Sequence, residues 1–413
     1  MTAGDTERCR SCGGVLHDVV DLGTSPLCEN FLDASQLDAM EPYYPLKMTI
    51  CGACYLAQVK EYVAPTSIFR EYAYFSSYSQ LWLDHARDYV DMAVARFNLD
   101  SRSRVVELAS NDGYLLQYFV AKDIPVLGID PAENVARAAE ARGVPTLTRF
   151  FGAALADELD AQGQTADLVI GNNVLAQVPD LDDFLDGVAT LMAPHGVATF
   201  EFPHLLRLIE ENQFDTIYHE HFWYFSLLAI EGLLAAHGLR VFDVEELTTH
   251  GGSLRLFICR ATNHDRPTLS AVGAMIDREI RSGLKDPARY AAFGERVRET
   301  KRGLLDFMIA AKRAGKSIVG YGAPGKGNTL LNYCGVRTDF IDYTVDRNPY
   351  KHGKYLPGTR IPVLAPEVID TTRPDYLLIL PWNLKDEIME QMMHIRGWGG
   401  RFVVPIPEVR VYA

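Results

Sequence analysis

Short apolar runs alternate with amphipathic stretches through the middle of the chain. An apolar run bounded by turn residues is typical of a buried strand, and apolar positions three and four apart are typical of a helix. Strands that alternate with helices indicate a parallel, doubly wound sheet, which binds its ligand over the carboxyl ends of the strands. The predicted strands span residues 104–109, 126–130, 167–173 and 197–202, and the predicted helices span 114–121 and 133–142.

The turn after the first of these strands and the acid that ends the second form a candidate cofactor site. Asp130, about 20 residues beyond the turn, is placed to bind ribose hydroxyls. Ala109 and Asn111 stand where a dinucleotide fingerprint has glycines, so a ligand without phosphates, such as S-adenosylmethionine (SAM), fits better than NAD. The turn alone leaves a methyl donor and another nucleotide open. The predicted cofactor-binding residues are Glu107, Ala109, Asn111, Gly113, Asp130, Asn172 and Asn173.

A second strand–turn–helix pattern lies nearer the carboxyl end, after a charge-rich stretch, 268–315, that predicts one or two long helices. Residues 316–322 predict a strand that enters Gly320-x-Gly322-x-x-Gly325, and Asp346 ends the next strand. This pattern matches a dinucleotide turn, so an NAD(P)-dependent oxidoreductase is the alternative function. We favour a nucleotide sugar, because Pro324 removes one N–H from the turn while amides at a helix start suit a diphosphate. The predicted contacts are Lys326, Asn328, Asp346, Lys351, Trp382 and Asn383.

Four of the seven cysteines form two Cys-x-x-Cys pairs. Two intervening residues let both thiolates of a pair face one ion, and two pairs complete a closed tetrahedral site. The pattern predicts a structural zinc ion bound by Cys9, Cys12, Cys51 and Cys54, and its doubling disfavours a redox pair. Residues 13–50 separate the pairs. That separation exceeds the usual loop of about 15 to 20 residues, so the module must accommodate an insertion.

Composition narrows the function classes further. The 413 residues include 40 Lys and Arg against 54 Asp and Glu, a net charge of −14, which disfavours a surface built for nucleic acid or anionic lipid. No apolar run approaches the roughly 18 residues that span a bilayer, and residues 1–10 are polar, without a signal-peptide core. We expect a cytoplasmic monomer without nucleic-acid or membrane partners.

Six motifs occur along the chain in one order. They are the doubled Cys-x-x-Cys, VELASNDG (106–113), GNNVLA (171–176), YHEH (218–221), HGGSLR (250–255) and GYGAPGKGN (320–328). Together they resemble the three-domain sugar C-methyltransferases, which methylate C-3 of dTDP-linked 4-keto deoxysugars in antibiotic biosynthesis. The resemblance implies an α/β chain with a zinc-binding domain (1–70), a Rossmann-like SAM-binding methyltransferase domain (71–260) and a Rossmann-like C-terminal nucleotide-sugar domain (261–413). It also implies an active site in the cleft between the last two domains.

Carbon methylation needs a base that removes a C–H beside a ketone, and a donor that stabilises the enolate oxygen. His221 matches the base of the family, with Tyr218 and Glu220 supporting it. Tyr72 aligns approximately with an active-site tyrosine of similar enzymes. The other predicted substrate-binding residues are Tyr78, Gln177, Glu201, His250 and Gly251.

Gln177 is a departure from the family, whose members commonly carry a His there. The difference weakens or moves that role, and it leaves open a catalytically silent homologue that only binds a nucleotide sugar. The residues alone leave two other interpretations of His221 open. It could be a structural histidine in an aromatic core, or it could form a metal pair with His219, since an extended segment points both side chains to one face. The segment 71–79 could likewise be a packed interdomain linker.

Overall fold

The computed structural model of the protein describes residues 7–64 and 76–412, so Tyr72 lies outside the described residues. Its strands form three sheets, and the predicted α/β architecture is confirmed. The strands are β1 (Leu16–Ser25), β2 (Tyr44–Cys51), β3 (Ala57–Val59), β4 (Val105–Leu108), β5 (Val126–Ile129), β6 (Thr146–Leu147), β7 (Ala166–Asn172), β8 (Met192–Pro203), β9 (Trp223–Tyr224), β10 (Leu239–Leu247), β11 (Ser253–Arg260), β12 (Ile318–Tyr321), β13 (Thr344–Val345), β14 (Val363–Leu364), β15 (Tyr376–Ile379), β16 (Arg401–Val404) and β17 (Arg410–Tyr412). The helices are α1 (Gln80–Phe97), α2 (Leu116–Val120), α3 (Glu133–Ala141), α4 (Ala153–Ala161), α5 (Leu181–Leu191), α6 (Leu205–Glu210), α7 (Leu227–Ala236), α8 (Ser270–Arg281), α9 (Pro287–Arg313), α10 (Gly325–Cys334), α11 (Val368–Thr372) and α12 (Lys385–Gln391).

The first sheet is antiparallel, in the order β1-β2-β3-β9. Its last strand comes from the range predicted for the central domain, and Trp223 of β9 pairs with Gln58 of β3. The buried Trp223 indole donates to the Val178 carbonyl at 2.6 Å, and the Arg10 guanidinium lies 4.1 Å from its ring centroid. Burying a ring of this size contributes on the order of 2 to 3 kcal/mol, so this residue joins the first sheet firmly to the second.

The second sheet has the order β10-β11-β8-β7-β4-β5-β6. The five strands from β8 to β6 are parallel, as the alternation of strands and helices predicts. β10 and β11, which were not among the predicted strands, form an antiparallel hairpin at one edge of this sheet. Only residues 248–252 join these two strands, a connection too short for the crossover that parallel strands need.

The third sheet has the order β14-β13-β12-β15-β16-β17 and is parallel apart from β17. β12 enters the glycine-rich turn and α10 leaves it, as predicted. The charge-rich stretch before it forms two helices, α8 and α9. The first and third sheets share one hydrophobic core, in which Phe293 and Val297 of α9 are fully buried. Gly294 permits this packing, because a Cβ there would lie 3.0 Å from the Val19 carbonyl oxygen of β1.

Within the described ranges, no helix combines the length and the apolar character that crossing a lipid bilayer requires.

Candidate active site and metal centre

The four predicted zinc ligands converge on one point. The Sγ atoms of Cys12 and Cys51 are 3.4 Å apart, those of Cys9 and Cys54 are 3.8 Å apart, and all four lie within 4.8 Å of one another. Tetrahedral zinc with bonds of about 2.3 Å separates its sulfur ligands by about 3.8 Å, so the cluster has the size and chemistry of a closed zinc site. The long separation between the pairs is explained by β1, β2 and the loop between them.

Neighbouring groups support this cluster. The Gln58 amide donates to Cys9 Sγ at 3.3 Å, and the Ala53 N–H donates to Cys51 Sγ at 3.4 Å. Such donors orient thiolates and offset their charge. Among the described residues, this is the one group of three or more His, Cys, Asp or Glu side chains close enough together to hold a metal ion. His219 and His221 therefore have no third potential metal ligand close to them among the described residues.

The predicted cofactor residues meet at the carboxyl edge of the second sheet. The buried Asp130 carboxylate accepts the Asn111 N–H and the Ala132 N–H, both at 2.9 Å. Ala109 and Asn111 have φ values of 57° and 49°, so the turn contains left-handed residues without the expected glycines. At Gly113, where φ is 74°, a Cβ would lie 3.1 Å from the Val144 side chain. The turn is therefore folded tightly against α3 and its following loop.

Several buried polar atoms at this edge have no hydrogen-bond partner within the described ranges. Burying such atoms unpaired costs roughly 1 to 3 kcal/mol each, so a cluster of them points to a polar ligand. The buried Glu107 carboxylate illustrates the environment, because burial raises its pKa well above the ordinary value. The unpartnered atoms are Glu107 Oε2, Ser110 Oγ, Asp112 Oδ1, Asn173 Oδ1 and both amide atoms of Asn172. This edge therefore fits a cofactor rich in hydroxyl and amine groups.

A buried ionic network lies beside this edge. It includes Arg255, the last residue of the HGGSLR motif, and His85, which was not among the predicted site residues. The Glu201 carboxylate accepts from His85 Nε2 at 2.9 Å, from Arg255 Nη2 at 3.0 Å and from the Thr249 hydroxyl at 2.8 Å. Burial opposes ionisation of Glu201, but these partners lower its pKa overall. Glu201 is thus fully engaged by protein groups.

His250 directly follows Thr249, which hydrogen-bonds Glu201, and it has a left-handed conformation with φ of 54°. Its Nε2 lies 3.1 Å from the Asn173 amide, and its ring packs edge-on against Trp82 at 5.1 Å. The following Gly251 is required by close packing, because a Cβ there would lie 2.6 Å from the Trp382 ring. His250 and Gly251 therefore connect the cofactor edge to the third sheet.

Residues 214–225, here called the junction segment, contain three of the predicted catalytic residues, Tyr218, Glu220 and His221. Its two histidines differ in environment. His219 Nε2 lies 3.1 Å from the Pro45 carbonyl oxygen of β2, so His219 has a structural role against the first sheet. His221 is buried, its ring centroid is 4.2 Å from that of Tyr218, and it borders a cavity of about 10 Å³. Burial, and then the charges around His250 and Lys326, lower the pKa of His221 to about 3.

A polar cluster near His221 includes Lys326, the second residue of α10, whose charge acts on His221. The Lys326 ammonium donates to Asn383 Oδ1 at 2.8 Å and lies 4.7 Å from the Trp382 ring centroid. The Trp382 indole donates to Asp215 Oδ2 at 2.7 Å. Burial raises the pKa of Asp215 to about 6, although Lys326 and Trp382 oppose this rise. Asp215 lies in the junction segment but was not among the predicted site residues.

The other predicted contacts of the glycine-rich turn are engaged within the protein. Asn328 Nδ2 donates to the Cys28 carbonyl at 2.6 Å, and the Lys351 ammonium donates to the Ala323 carbonyl at 2.7 Å. Asp346 accepts the Ala323 N–H at 2.7 Å and the Asn348 N–H at 2.8 Å. These three side chains therefore make hydrogen bonds that hold the turn and the loop after β1, and their predicted contacts with a nucleotide sugar stay a prediction.

Tyr78 and Gln177 each lie where two parts of the chain meet. The half-exposed Tyr78 ring stacks on Tyr350 with centroids 6.3 Å apart, which links the second and third parts of the chain. Gln177 ends a short turn, and the Phe222 N–H donates to the preceding Ala176 carbonyl at 2.7 Å. This bond places Gln177 next to the junction segment.

The metal centre predicts one zinc ion per chain. We expect Cys51→Ala to lose the ion and several kcal/mol of stability, because three remaining thiolates cannot close the tetrahedron. Elemental analysis and thermal unfolding measure both effects. Cys259→Ala, which removes a buried thiol of β11, is the control and should retain the zinc. Equal zinc contents in the two variants would contradict the assignment.

The neutral His221 predicts a specific acid sensitivity. The unfolded chain binds a proton at His221 below about pH 6.5, whereas the folded chain does not do so until about pH 3. As the pH falls from about 6.5 to about 3, the protonation of His221 in the unfolded chain should therefore lower the free energy of unfolding by up to about 1.4 kcal/mol per pH unit. Urea unfolding of the wild type and of His221→Gln at pH 7, 6 and 5 tests this. Parallel pH dependences of the two proteins would show that His221 is not buried in neutral form.

Comparison with known proteins covers all three parts of the chain. Residues 9–69 match the family model of a zinc binding domain, residues 82–244 match a methyltransferase domain, and residues 248–407 match a C-methyltransferase C-terminal domain. C-methyltransferase NovU of Streptomyces niveus is 39% identical over 412 residues, which covers 98% of this chain and 96% of that protein.

More distant relatives match only part of the chain. Ubiquinone biosynthesis O-methyltransferase of Rhizobium etli (strain CIAT 652) is 28% identical over 152 residues, covering 34% of this chain and 58% of that protein. Magnesium protoporphyrin IX methyltransferase (ChlM) of Synechocystis PCC 6803, solved with bound SAM, is 17% identical, with a TM-score of 0.33, covering 43% of this chain and 79% of that one. The full-length match to NovU decides the family: the chain belongs to the SAM-dependent C-methyltransferases that carry a zinc-binding domain.

Proposed function

We propose that this C-methyltransferase transfers the methyl group of SAM to C-3 of a dTDP-linked 4-keto deoxysugar, in the biosynthesis of an antibiotic sugar. The observation that carries the proposal is the neutral, buried His221, which lies against Tyr218 and within the electrostatic reach of the Lys326 ammonium. Removal of a proton beside a ketone needs a neutral base and a positive or hydrogen-bonding group for the developing oxygen charge. The order of the six sequence motifs supports the sugar acceptor.

In this proposal His221 accepts the proton from C-3, and the electron pair forms an enolate whose oxygen lies on C-4. Tyr218 donates to that oxygen. A base with a pKa of about 3 is weak; burial is the main cause, and the charges of His250 and Lys326 add to it. A bound diphosphate would offset the contribution of Lys326, so we expect His221 to be a stronger base when the acceptor is present. When bound, SAM supplies an electrophilic methyl group for the carbanion.

The donor and acceptor sites follow from the same geometry. We assign the donor to the unpartnered polar edge around Glu107, Asn172 and Asn173, with Asp130 on the ribose. We assign the acceptor to the space between His221 and the cluster of Lys326, Asn383 and Trp382. In this assignment His250 and Gly251, which packs against Trp382, border the acceptor space, and Tyr78 and Gln177 are assigned to its edge. Glu201 has a supporting role, since it holds the residues around His250.

The direct test is incubation with methyl-labelled SAM and a panel of nucleoside-diphosphate 4-keto deoxysugars. We expect label in a dTDP-linked sugar, and carbon NMR should place the new methyl at C-3. Exchange of the C-3 hydrogen with deuterated water, measured without SAM, tests proton removal separately. Label on another carbon would overturn the C-3 assignment. Acceptor binding without exchange or transfer would favour the silent homologue, for which Gln177 is the one favourable feature.

His221→Ala should reduce methyl transfer and C-3 deuterium exchange by at least about 100-fold, because general base catalysis typically contributes 10² to 10⁴. SAM binding, measured by calorimetry, should persist. The matched control is His219→Gln, which removes the other imidazole of the motif but retains an N–H donor for the Pro45 carbonyl. Unchanged exchange in His221→Ala would remove this residue from the base role.

Lys326→Met should weaken acceptor binding and leave the affinity for SAM unchanged. The substitution keeps an apolar stem against Trp382 but removes the cation from the proposed acceptor site. Loss of one charge-assisted contact predicts a rise in the acceptor KM of about 10-fold or more. Lys385→Met, at an exposed ion pair with Asp386, is the control. An unchanged acceptor KM would place the diphosphate elsewhere.

A further inference from the structure

The residues that match the zinc binding domain, 9–69, are here called the zinc module. Its loop after β1 places Cys28 and Glu29 against the start of α10. Gly325 is the first residue of that helix, and a Cβ there would lie 2.9 Å from Cys28 Sγ and 3.1 Å from Glu29 Oε1. The absence of a side chain at Gly325 is what admits this loop. The close approach therefore explains the last glycine of the turn without any external phosphate.

Glu29 occupies the position in which a helix start accepts an anion. Its carboxylate accepts the Gly325 N–H, and Oε2 lies 3.7 Å from the Lys351 ammonium. Lys351 is buried and also donates to the Ala323 carbonyl within the turn. The glycine-rich turn thus holds an anionic ligand that the chain itself supplies.

The same loop contacts the junction segment from the other side. The Cys28 thiol donates to Glu220 Oε1 at 3.6 Å, and the Glu29 N–H donates to the Glu220 carboxylate. Glu220 is 4% exposed, whereas 26% of the Glu29 side chain is exposed. Burial, and then the charge of Glu29, raise the pKa of Glu220 to about 8.

The surrounding charges decide which of the two carboxyl groups holds a proton. Lys351 is the cation facing both groups, and Asp346 adds negative charge beside Glu29. The thiol of Cys28 stays protonated, because burial and Glu220 raise its pKa well above the ordinary value. Burial raises the pKa of Glu29 as well, and Asp346 adds to this rise, but Lys351 and the Gly325 N–H oppose it. Glu29 is therefore the ionised partner, and Glu220 is the neutral one.

We propose that Glu29 is a positioning residue: its carboxylate, held by the glycine-rich turn and Lys351, keeps Glu220 as a carboxylic acid that donates a hydrogen bond to the acceptor sugar. The role of the Glu220 proton, donation to the acceptor sugar, rests on the proposed function. The presence of a proton on Glu220 does not depend on the proposed function. The turn resembles a dinucleotide site, but in this proposal it binds the carboxylate of Glu29. Through this contact the zinc module sets the protonation state of Glu220.

The test is Glu29→Gln, which keeps the shape and one acceptor but removes the charge. If neutral Glu220 is the active form, activity falls as the pH rises through its pKa, and loss of the neighbouring negative charge lowers that pKa. The basic limb of the pH profile of kcat should therefore move down by about one pH unit or more. Glu29→Asp, which restores the charge, should return the limb toward its wild-type position.

Glu41→Gln is the matched control. Glu41 is another carboxylate of the zinc module, and it accepts the Gly358 N–H of the third part of the chain at 2.8 Å. Glu41 is not one of the groups that shift the pKa of Glu220. We expect its pH profile to match that of the wild type. A basic limb that does not move in Glu29→Gln, or that moves equally in Glu41→Gln, would overturn the proposal.

Infrared difference spectroscopy provides a readout that does not require turnover. A protonated carboxyl band that disappears in Glu220→Gln identifies Glu220, and its titration should move to lower pH in Glu29→Gln. Zinc content and thermal unfolding of each variant show whether it is folded. Absence of the band at neutral pH would overturn the inference even if the methyl transfer is confirmed. Its presence in a chain that transfers no methyl group would uphold the positioning role and refute the proposed function.

Discussion

The junction segment, 214–225, is held by hydrogen bonds from all three parts of the chain, and the site depends on this restraint. The Thr329 hydroxyl of α10 donates to the Ile217 carbonyl, while the Phe222 N–H donates to the Ala176 carbonyl. His219 contacts the first sheet through Pro45. A segment held from three directions has few alternative conformations, so its buried side chains keep fixed positions. This is why strands from distant parts of the sequence must assemble before His221 has a defined environment.

Burial determines the electrostatics of that environment. A buried imidazole loses its proton and a buried carboxyl group keeps its proton, because desolvation disfavours the charged form of each. His221 and Asp215 have shifted pKa values of about 3 and about 6 for this reason. Glu201 is the exception, since His85 and Arg255 compensate for its burial. The site therefore combines the neutral imidazole of His221 with the nearby Lys326 side chain, an arrangement that supports the proposed removal of a proton beside a ketone.

Sequence reasoning succeeded where a pattern is local. The Cys-x-x-Cys pairs and the parallel strands of the second sheet could be predicted because spacing and periodicity depend on neighbours along the chain. Contacts between distant segments could not be predicted this way. Nothing in the sequence around Glu29 indicates that it meets Gly325, and His85 becomes significant only beside Glu201. The contact of the glycine-rich turn with Glu29 is of the same kind, since Glu29 lies almost 300 residues before Gly325 in the chain.

The zinc module contacts the junction segment through residues that lie outside its metal centre. Its four thiolates fix the ends of β1 and β2, and the loop between these strands carries Cys28 and Glu29. β2 also supplies the Pro45 carbonyl that accepts from His219. A structural metal site contributes its binding energy to folding, so it can stabilise a loop whose own burial is small. The long insertion between the cysteine pairs is therefore the portion of the module that reaches the junction segment, and the ion stabilises the base of that insertion.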